Sequence, residues 1–453
     1  MAETTRYDQA ARQLKLLSQA LESGRLGPVR RLVNTLTPAE IGDLLESLPL
    51  EQRLIVWGLV DAEDDGEVLV HVGDEVRESL IRDMDPEELV AAADTLDIDD
   101  LADLVEDLPG HLVDEVLKSM DRENRERLEQ VLSYDEDTAG RLMNPDLVTV
   151  RADVTVDVVL RYLRMRGELP TNTNHVYVVS RRHQYLGRIP LATLVTADPD
   201  ALINEKMDTE VAPIRAETTS EDVAKHFADH DLISAPVVDE NNVLLGRITV
   251  DDVVDVIREE AEETVKSLAG LSADEELFTP ALRAVRRRAI WLGVNLLTAF
   301  VAASVIGQFE ATLEQIVALA VLMPIVASMG GNAGLQAMTL TVRGLALGQL
   351  AGGNIRVLLS KELLVGLMNG ALWALVVATA AYLWFGNLLI SAAIGGAMVI
   401  NLFLAALAGV LVPVTLQRMK IDPAIAGSIV VTTVTDVMGF FSFLGLGTLL
   451  LLR

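Results

Sequence analysis

The pattern of apolar and polar positions divides the chain at about residue 286. Before this point, apolar residues recur at helical spacing with charged residues between them; after it, long apolar stretches are separated by short polar turns. Apolar residues three and four apart form one face of an amphipathic helix, whereas an apolar run of about 17–25 residues can cross a bilayer. The pattern therefore predicts a water-exposed first part and a membrane-embedded second part.

Residues 1–138 are predicted to form an all-α domain. Thr37-Pro38-Ala39-Glu40 and Asp85-Pro86-Glu87-Glu88 each combine an N-cap residue, proline at the first helical position and a Glu that closes a capping box. The segment Asp43–Pro49 is echoed by Asp103–Pro109, sixty residues later. We expect stacked helical hairpins that form a small acidic superhelix.

Residues 139–265 contain an internal repeat, with copies at 139–206 and 207–265. The run Tyr177–Ile189 of the first copy is echoed by Pro236–Ile248 of the second. Each copy alternates short β-rich runs with helical stretches, which predicts two α+β modules. The segment resembles a tandem pair of CBS (cystathionine β-synthase-type) regulatory modules.

The CBS resemblance implies an adenine nucleotide such as ATP as a ligand. The segment Gly246–Asp252 is similar to the ribose-phosphate pattern of that family, so Thr249 and Asp252 are the candidate contacts. Pro190 breaks the pattern in the first copy, which leaves one nucleotide site at most. The alternative is that Thr249 only caps the helix that follows it.

A connecting helix is predicted over 266–285, followed by a membrane domain over 286–453 with five helices. Each of the five apolar stretches is long enough to span a bilayer. The predicted spans are Ala289–Gly307, Gln315–Leu340, Leu363–Phe385, Leu388–Leu416 and Pro423–Leu452.

Charge is distributed unevenly between the two parts. Of the 37 basic and 66 acidic residues, ten basic and five acidic ones lie beyond residue 280. The acidic first part repels nucleic acid and attracts cations. The basic residues of the second part lie in alternate loops, which the positive-inside rule places in the cytoplasm. We therefore expect a multi-pass protein of the cell membrane with cytoplasmic N-terminal domains and the C-terminus outside.

Asp436 is the only ionisable residue between Pro423 and Leu452. A carboxylate at membrane depth costs roughly 2.5–3.5 kcal/mol on insertion scales and usually faces a partner or a water-filled path. Three threonines of the same stretch, including Thr433, can place hydroxyls near it. This combination suits a cation. The alternatives are a polar group that joins helices, or a protonated acid.

The second span contains Gly330-Gly331-Asn332-Ala333-Gly334 behind Pro324. Proline and glycine loosen the helical backbone, which membranes tolerate where the backbone is buried or lines a water-filled path. Asn332 offers an amide oxygen to such a path. The alternative is that the small residues serve only the tight packing of helices.

The order of an acidic helical domain, a CBS pair, a connecting helix and five spans resembles the MgtE family of magnesium transporters over nearly the full length. Tyr134–Met143, Gly330–Gly334 and Asp422–Asp436 complete the resemblance. It implies a homodimeric Mg²⁺ channel rather than an enzyme, with a pore along the dimer axis. The implied pore residues are Gly331, Asn332, Thr433 and Asp436.

The same resemblance implies that cytoplasmic Mg²⁺ closes the channel by joining the acidic domains. Crowded carboxylates repel one another without a cation, so bound Mg²⁺ favours a compact state. The implied gate ligands are Asp99, Asp103, Glu221, Asp231, Asp252, Asp255, Glu260 and Glu263, with Asp422 as a further candidate.

Three alternatives remain beside this reading. The first is a broader transporter of Co²⁺, Ni²⁺ or Mn²⁺, and the second is a nucleotide sensor with a membrane anchor. The third, an intramembrane metalloprotease, requires a histidine pair within a span. No histidine follows His230, which argues against that enzyme.

Overall fold

The computed structural model describes residues 26–452 except 107, 273, 274, 276, 347 and 351–353. The first 25 residues of the predicted N-terminal domain thus lie outside the described residues. One compact unit comprises the described residues up to Ala261 together with 275 and 277–279. The other comprises residues 262–272 and the described residues from Pro280 onward.

Short helices occupy the described part of the N-terminal domain, which confirms the predicted all-α class. The first helices of successive hairpins stack on one another, α2 on α4, α4 on α6 and α6 on α8. The helices are α1 (Leu26–Val33), α2 (Pro38–Glu46), α3 (Leu50–Trp57), α4 (Asp65–Val70), α5 (Asp74–Ile81), α6 (Pro86–Ala93), α7 (Ile98–Glu106), α8 (Gly110–Ser119) and α9 (Arg122–Val131).

The repeating unit of this superhelix is 24 residues long. The second helices of the hairpins, α3, α5, α7 and α9, begin at residues 50, 74, 98 and 122. The echo of sixty residues in the sequence relates the end of α2, a first helix, to the end of α7, a second helix. That echo reflects a shared helix-to-proline turn and is not the structural period.

Arginine side chains join successive helices in three of the hairpins; Arg53 is buried, and Arg77 and Arg125 are half-buried. Arg53, Arg77 and Arg125 occupy the fourth position of α3, α5 and α9, and each donates to carbonyl oxygens at the end of the preceding helix. The Arg53 Nε lies 2.9 Å from the Leu45 oxygen. In α7 the same position is Leu101. The third hairpin therefore departs from the pattern, and it carries four acids within the seven residues Asp97–Asp103.

The CBS pair consists of two copies of one α+β module, as predicted. In each module the first strand pairs with the second in parallel, and the second pairs with the third in antiparallel. The first module contains α10 (Ala139–Leu142), β1 (Thr149–Arg151), α11 (Val156–Arg166), β2 (His175–Val179), β3 (Tyr185–Pro190) and α12 (Leu191–Thr196). Next come α13 (Ile203–Lys206), β4 (Ile214–Arg215), α14 (Ser220–His230), β5 (Ser234–Val238) and β6 (Leu244–Thr249).

The connecting helix differs from its predicted bounds of 266–285. Helix α15 begins at Val250 and ends at Leu268. Gly270 follows with a φ of 75°, and the Leu271 amide donates to the Lys266 oxygen at 3.0 Å. This is a glycine-terminated helix end, which a continuous helix cannot cross.

Five long helices follow, as the apolar pattern predicts, each long and apolar enough to cross a membrane. The second span begins at Val317 rather than at Gln315, because a short separate helix precedes it. The helices are α16 (Ala281–Gly307), the short α17 (Glu310–Gln315), α18 (Val317–Ala346), α19 (Asn354–Phe385), α20 (Leu388–Arg418) and α21 (Pro423–Leu451). Helix α20 lies at the centre of this unit, where it packs against α18, α19 and α21.

Candidate ion path and acidic cluster

Helices α18 and α21 pack side by side and run antiparallel. A methyl group at Gly334 would lie 2.6 Å from Val431 Cγ1 and 3.4 Å from Thr435 Cγ2. Further along, a methyl group at Gly427 would lie 2.8 Å from Met338 Cε. Residues later in α18 thus contact residues earlier in α21, as expected for antiparallel helices. The tight contact depends on small residues, as is usual between membrane helices.

This register brings Asn332 to the level of Asp436. Asn332 precedes the Gly334 contact by two residues, and Asp436 directly follows Thr435 on the opposing helix. Asn332 is exposed on the surface of the single chain, and Asp436 is half-buried. The two predicted pore residues therefore lie at one depth, on two neighbouring helices.

The glycine motif of α18 serves two faces of the helix. Gly330 and Gly334 are buried against neighbouring helices, whereas Gly331 is half-buried with open space beside its Cα, and Asn332 is exposed. Tight packing accounts for the first pair. It does not account for the exposed amide of Asn332.

The carboxylate of Asp436 makes no hydrogen bond or ion pair within the described chain. The hydroxyls of Thr432 and Thr433 donate to the Ser428 and Ile429 oxygens of their own helix. Thr435 is buried, and its hydroxyl donates to the Thr432 oxygen at 2.9 Å. None of these three hydroxyls therefore donates to Asp436 within the described chain.

In the other unit, acidic side chains from two helix starts converge. Asp99 and Asp100 lie in the first turn of α7, and Asp251 and Asp252 lie in the first turn of α15. The positive end of a helix dipole favours acids in this position. Each helix dipole therefore stabilises the acids of its own first turn. Where the two helix starts meet, however, four carboxylates lie close together and repel one another.

The pKa values of these acids record the crowding. Burial, and then the neighbouring carboxylate of Asp252, raise the pKa of Asp99 well above its ordinary value. Burial and nearby acids also raise the pKa of Asp100 to about 7 and that of Asp252 to about 7. Burial raises the pKa of Asp97 beside them. An arrangement of this kind is strained when ionised and is relieved by a proton or a cation.

Neutral and basic groups border the cluster. The Asn144 side chain donates to Asp99 at 3.2 Å. The buried guanidinium of Arg141 lies 2.9 Å from Glu106 and 3.6 Å from Asp103. Asp103 is thus partly neutralised, whereas Asp99 faces other carboxylates.

Thr249 and Asp252 form a helix cap. The backbone amide and the hydroxyl of Thr249 donate to Asp252 Oδ2 at 3.1 and 3.0 Å. These contacts are the ones expected of a residue that begins α15.

Three family models match the chain. They are the divalent cation transporter model MgtE over residues 323–446, the MgtE intracellular N domain over 36–137, and the CBS domain over 139–200 and 202–259. The magnesium transporter MgtE of Thermus thermophilus is 33% identical to this chain, over 96% of this chain and 98% of the relative. The chain belongs to the MgtE family.

Two further relatives of this family extend the comparison. The magnesium transporter MgtE of Bacillus subtilis is 28% identical, over 99% of each chain. A crystal structure of the cytosolic domain of the Mg²⁺ channel MgtE in complex with ATP is 33% identical, with a TM-score of 0.48, and covers 53% of this chain and 98% of its own. Membership of the MgtE family, together with five apolar helices, makes this a multi-pass membrane protein.

Two of the implied gate ligands lie at opposite ends of one helix. Glu221 lies in the first turn of α14, and Asp231 caps its end. Ten residues of helix separate them by about 15 Å. Both are exposed. A single ion cannot bridge this pair within one chain.

The remaining implied gate ligands have varied surroundings. Burial raises the pKa of Asp255, which lies on α15 beyond the cluster. Glu260 is half-buried and Glu263 is exposed on the same helix. Asp422 caps α21, since its carboxylate accepts from the Ala424 amide at 2.7 Å.

The structure also adds acids and amides that sequence reasoning did not select. Asp97, Asp100 and Asp251 belong to the cluster, and Asn144 borders it. The dense run of acids at the start of α7 was a usable signal for the first two. In the membrane unit the missed residue is Asn401, and its signal was an amide in the middle of an apolar span.

Proposed function

We propose that this MgtE family member is a homodimeric channel or transporter for Mg²⁺, which cytoplasmic Mg²⁺ closes through the acidic cluster. The observation that carries the proposal is the position of Asp436. Its carboxylate lies half-exposed on a membrane-spanning helix, level with Asn332, and makes no hydrogen bond or ion pair within the described chain. The proposal includes no catalytic reaction.

A carboxylate at this depth requires compensation from water or a cation, because its cost in hydrocarbon is roughly 2.5–3.5 kcal/mol. A polar face at membrane depth also has to be covered. Asn332, Gln336 and Thr432 are all exposed on α18 and α21 of the single chain. A second copy placed against this face would cover it and enclose a wet path between the two chains.

The other unit supports the same assembly. Helix α15 exposes an apolar stripe, with Val250 40%, Val254 55% and Ile257 47% exposed. The spacing of four and three residues puts these side chains on one face. In the homodimer this face would pack against the partner subunit.

The donor set of the path fits Mg²⁺. Each copy offers one carboxylate and one amide, and Mg²⁺ favours few protein ligands because it retains most of its water. The relatives of the MgtE family named above are magnesium transporters. The ion would pass with Asp436 and Asn332 in contact with its water shell, beside Gly331 and Thr433.

The acidic cluster supplies the gate of the proposal. Asp99, Asp100 and Asp252 are half-buried close together, an arrangement that is costly while all three are ionised. A bound Mg²⁺ stabilises the compact arrangement, and linkage then makes the arrangement a sensor of cytoplasmic Mg²⁺. Asp103, Glu221, Asp231, Asp255, Glu260, Glu263 and Asp422 remain proposed ligands of further ions at this regulatory level.

The proposed orientation follows from charge. Arg343, Arg356, Arg418 and Lys420 lie at the helix ends and in the connections on the side of α16 that carries Arg288. The positive-inside rule places this side in the cytoplasm. The N-terminal and CBS domains are then cytoplasmic, and the C-terminus is outside.

The transport test uses purified protein in liposomes that contain a fluorescent Mg²⁺ indicator. We expect Asp436→Asn to lower uptake by about a hundredfold, because the isosteric amide removes the charge and keeps the volume. Glu310→Gln, in the short helix α17, is the matched control with the same change of charge and should transport normally. Normal uptake by Asp436→Asn would overturn the proposed path.

A second candidate is transport of a broader set of divalent cations, which the description of the matching family model as a divalent cation transporter favours. The same liposomes with Co²⁺, Ni²⁺ or Mn²⁺ outside test it. Equal flux for these ions and for Mg²⁺ would show that the path is not selective for Mg²⁺ and conducts divalent cations in general.

Adenine nucleotide binding at Thr249 and Asp252 stays a prediction. The related cytosolic domain was crystallised with ATP, and the Thr249 hydroxyl of this chain is already bonded to Asp252. Calorimetry with ATP on the purified protein, wild-type and Thr249→Val, tests whether that hydroxyl contributes to binding.

A further inference from the structure

Asn401 lies in the interior of the membrane unit, in the middle of α20. Its side chain is fully buried, at 0% exposure. Its Nδ2 donates to the Val326 carbonyl of α18 at 2.9 Å. Its Oδ1 is buried and has no hydrogen-bond partner in the described chain. Burying an amide oxygen without a hydrogen-bond partner costs free energy, so its presence in a folded protein calls for an explanation.

Two glycines from different helices enclose this amide. A methyl group at Gly330 of α18 would lie 2.2 Å from the Asn401 Nδ2, and one at Gly439 of α21 would lie 2.8 Å from the same atom. Real Cβ atoms do not approach so closely. The backbones of α18 and α21 are therefore both pressed against one side chain of α20.

The same two helices carry the candidate pore residues. Asn332 follows Gly330 by two residues, and Asp436 precedes Gly439 by three. Packing between small residues leaves a helix free to slide or turn, whereas a hydrogen bond depends on direction. The bond to Val326 fixes the face of α18 that meets the amide, and Gly439 fits the other side.

We infer that Asn401 is a positioning residue for the ion path, which sets the rotation and height of α18 and α21 so that Asn332 and Asp436 lie at one level. This inference rests on the proposed function, because those two residues form the path only there. Asn401 itself is buried and does not touch the ion. Its effect is on geometry, and sites of this type depend on tenths of an ångström.

The first test compares three variants in Mg²⁺ flux and in the ratio of Mg²⁺ to Ca²⁺ permeability, taken from reversal potentials. Asn401→Leu keeps the number and branching of the side-chain heavy atoms and removes the hydrogen bond. Ser391→Ala is the matched control, because Ser391 is also buried on α20 but donates within its own helix, to the Asn387 oxygen. We expect Asn401→Leu to shift the permeability ratio by about tenfold and Ser391→Ala to leave it unchanged. A wild-type ratio in Asn401→Leu would overturn the inference.

The second test separates the effect of the volume of the Asn401 side chain from that of its directional hydrogen bond. Asn401→Ala leaves a gap, and Gly330→Ala alone adds a methyl group that collides with the amide. In the double variant the methyl group occupies the gap, so we expect normal thermal stability and an altered permeability ratio. Recovery of both stability and ratio would show that volume alone matters and would refute the positioning role.

The third test is independent of transport. The natural chain has no cysteine, so Asn332→Cys gives a unique thiol whose reaction rate with a water-soluble methanethiosulfonate reagent reports its position. We expect Asn401→Leu to change that rate severalfold and Ser391→Ala to leave it unaltered. An unchanged rate in Asn401→Leu counts against the inference. If the wild-type protein carries no Mg²⁺, the proposed function fails, while these rates still decide whether Asn401 positions α18.

Discussion

Acidic side chains lie in opposite arrangements in the two units of the chain. In the membrane unit a single carboxylate, that of Asp436, lies half-exposed without a charged neighbour in the described chain. In the other unit the half-buried Asp99, Asp100 and Asp252 lie close together, and the carboxylate of Asp252 raises the pKa values of Asp99 and Asp100. The first arrangement suits an ion that passes in its water shell, and the second suits an ion that is retained.

The difference teaches how one ion can have two roles in a single chain. A path must bind weakly enough to release its ion, so one carboxylate at a given level suffices. A sensor must convert binding into a change of shape, so it needs charges that separate when the ion leaves. Acids in the first turns of α7 and α15 meet this need, because each belongs to a different domain of the first unit.

The role of the single carboxylate is tested most directly by moving it from α21 to the neighbouring helix α18. Asp436→Asn alone should lower Mg²⁺ flux by about a hundredfold, as for other lost electrostatic groups of a site. Adding Asn332→Asp restores a carboxylate at the same level, and we expect the liposome flux to recover at least in part. Asn332→Asp with Glu310→Gln is the control for net charge. No recovery in the double variant would argue that the two residues do not face one path.

The role of the acidic cluster is tested by removing two of its carboxylate charges. Asp99→Asn with Asp252→Asn removes two charges that Mg²⁺ would otherwise balance. The dependence of flux on internal Mg²⁺ should then weaken about tenfold relative to wild type, within the usual range of coupling between sites. Glu129→Gln, an exposed acid on α9, is the control. Wild-type closure in the double variant would remove the cluster from the gate.

Protons should replace Mg²⁺ in the acidic cluster. Asp100 and Asp252 have pKa values of about 7 here, above the ordinary 3.8. The compact arrangement therefore binds more protons between pH 4 and 7 and gains stability as the pH falls through 7. Without Mg²⁺, we expect the full-length protein to be cleaved by trypsin roughly fivefold more slowly at pH 6 than at pH 8, relative to an unstructured control peptide. Equal relative rates would contradict the crowding.

The smallest predicted effect concerns the cap of α15. Thr249→Val keeps the shape of the side chain and removes the hydroxyl that donates to Asp252. That hydrogen bond lowers the pKa of Asp252. Its loss should make the carboxylate harder to ionise and raise the Mg²⁺ concentration for half-closure about two- to threefold. A shift in ATP affinity without a shift in closure would instead favour the nucleotide role of Thr249.

Local patterns predicted much of the architecture. Apolar runs identified the five membrane helices, and the capping boxes at Thr37 and Asp85 begin α2 and α6 as expected. Local sequence patterns are less informative where two different turns have similar sequences. The echo at Asp43 and Asp103 differs from the 24-residue repeat of the hairpins, because helix ends followed by proline recur in both halves of a hairpin. The connecting helix was misplaced since the stop at Gly270 outweighs the helical residues on either side.

The sequence by itself determined which residues are exceptional: a lone acid in an apolar span, an asparagine among glycines, and acids at two helix starts. These follow from composition and spacing, which need no knowledge of distant contacts. Only the tertiary structure decided that Asn332 and Asp436 share a level, that Asp99 meets Asp252, and that Asn401 lies between Gly330 and Gly439. Those are contacts between positions far apart in the chain, and side-chain packing sets them, not local preference.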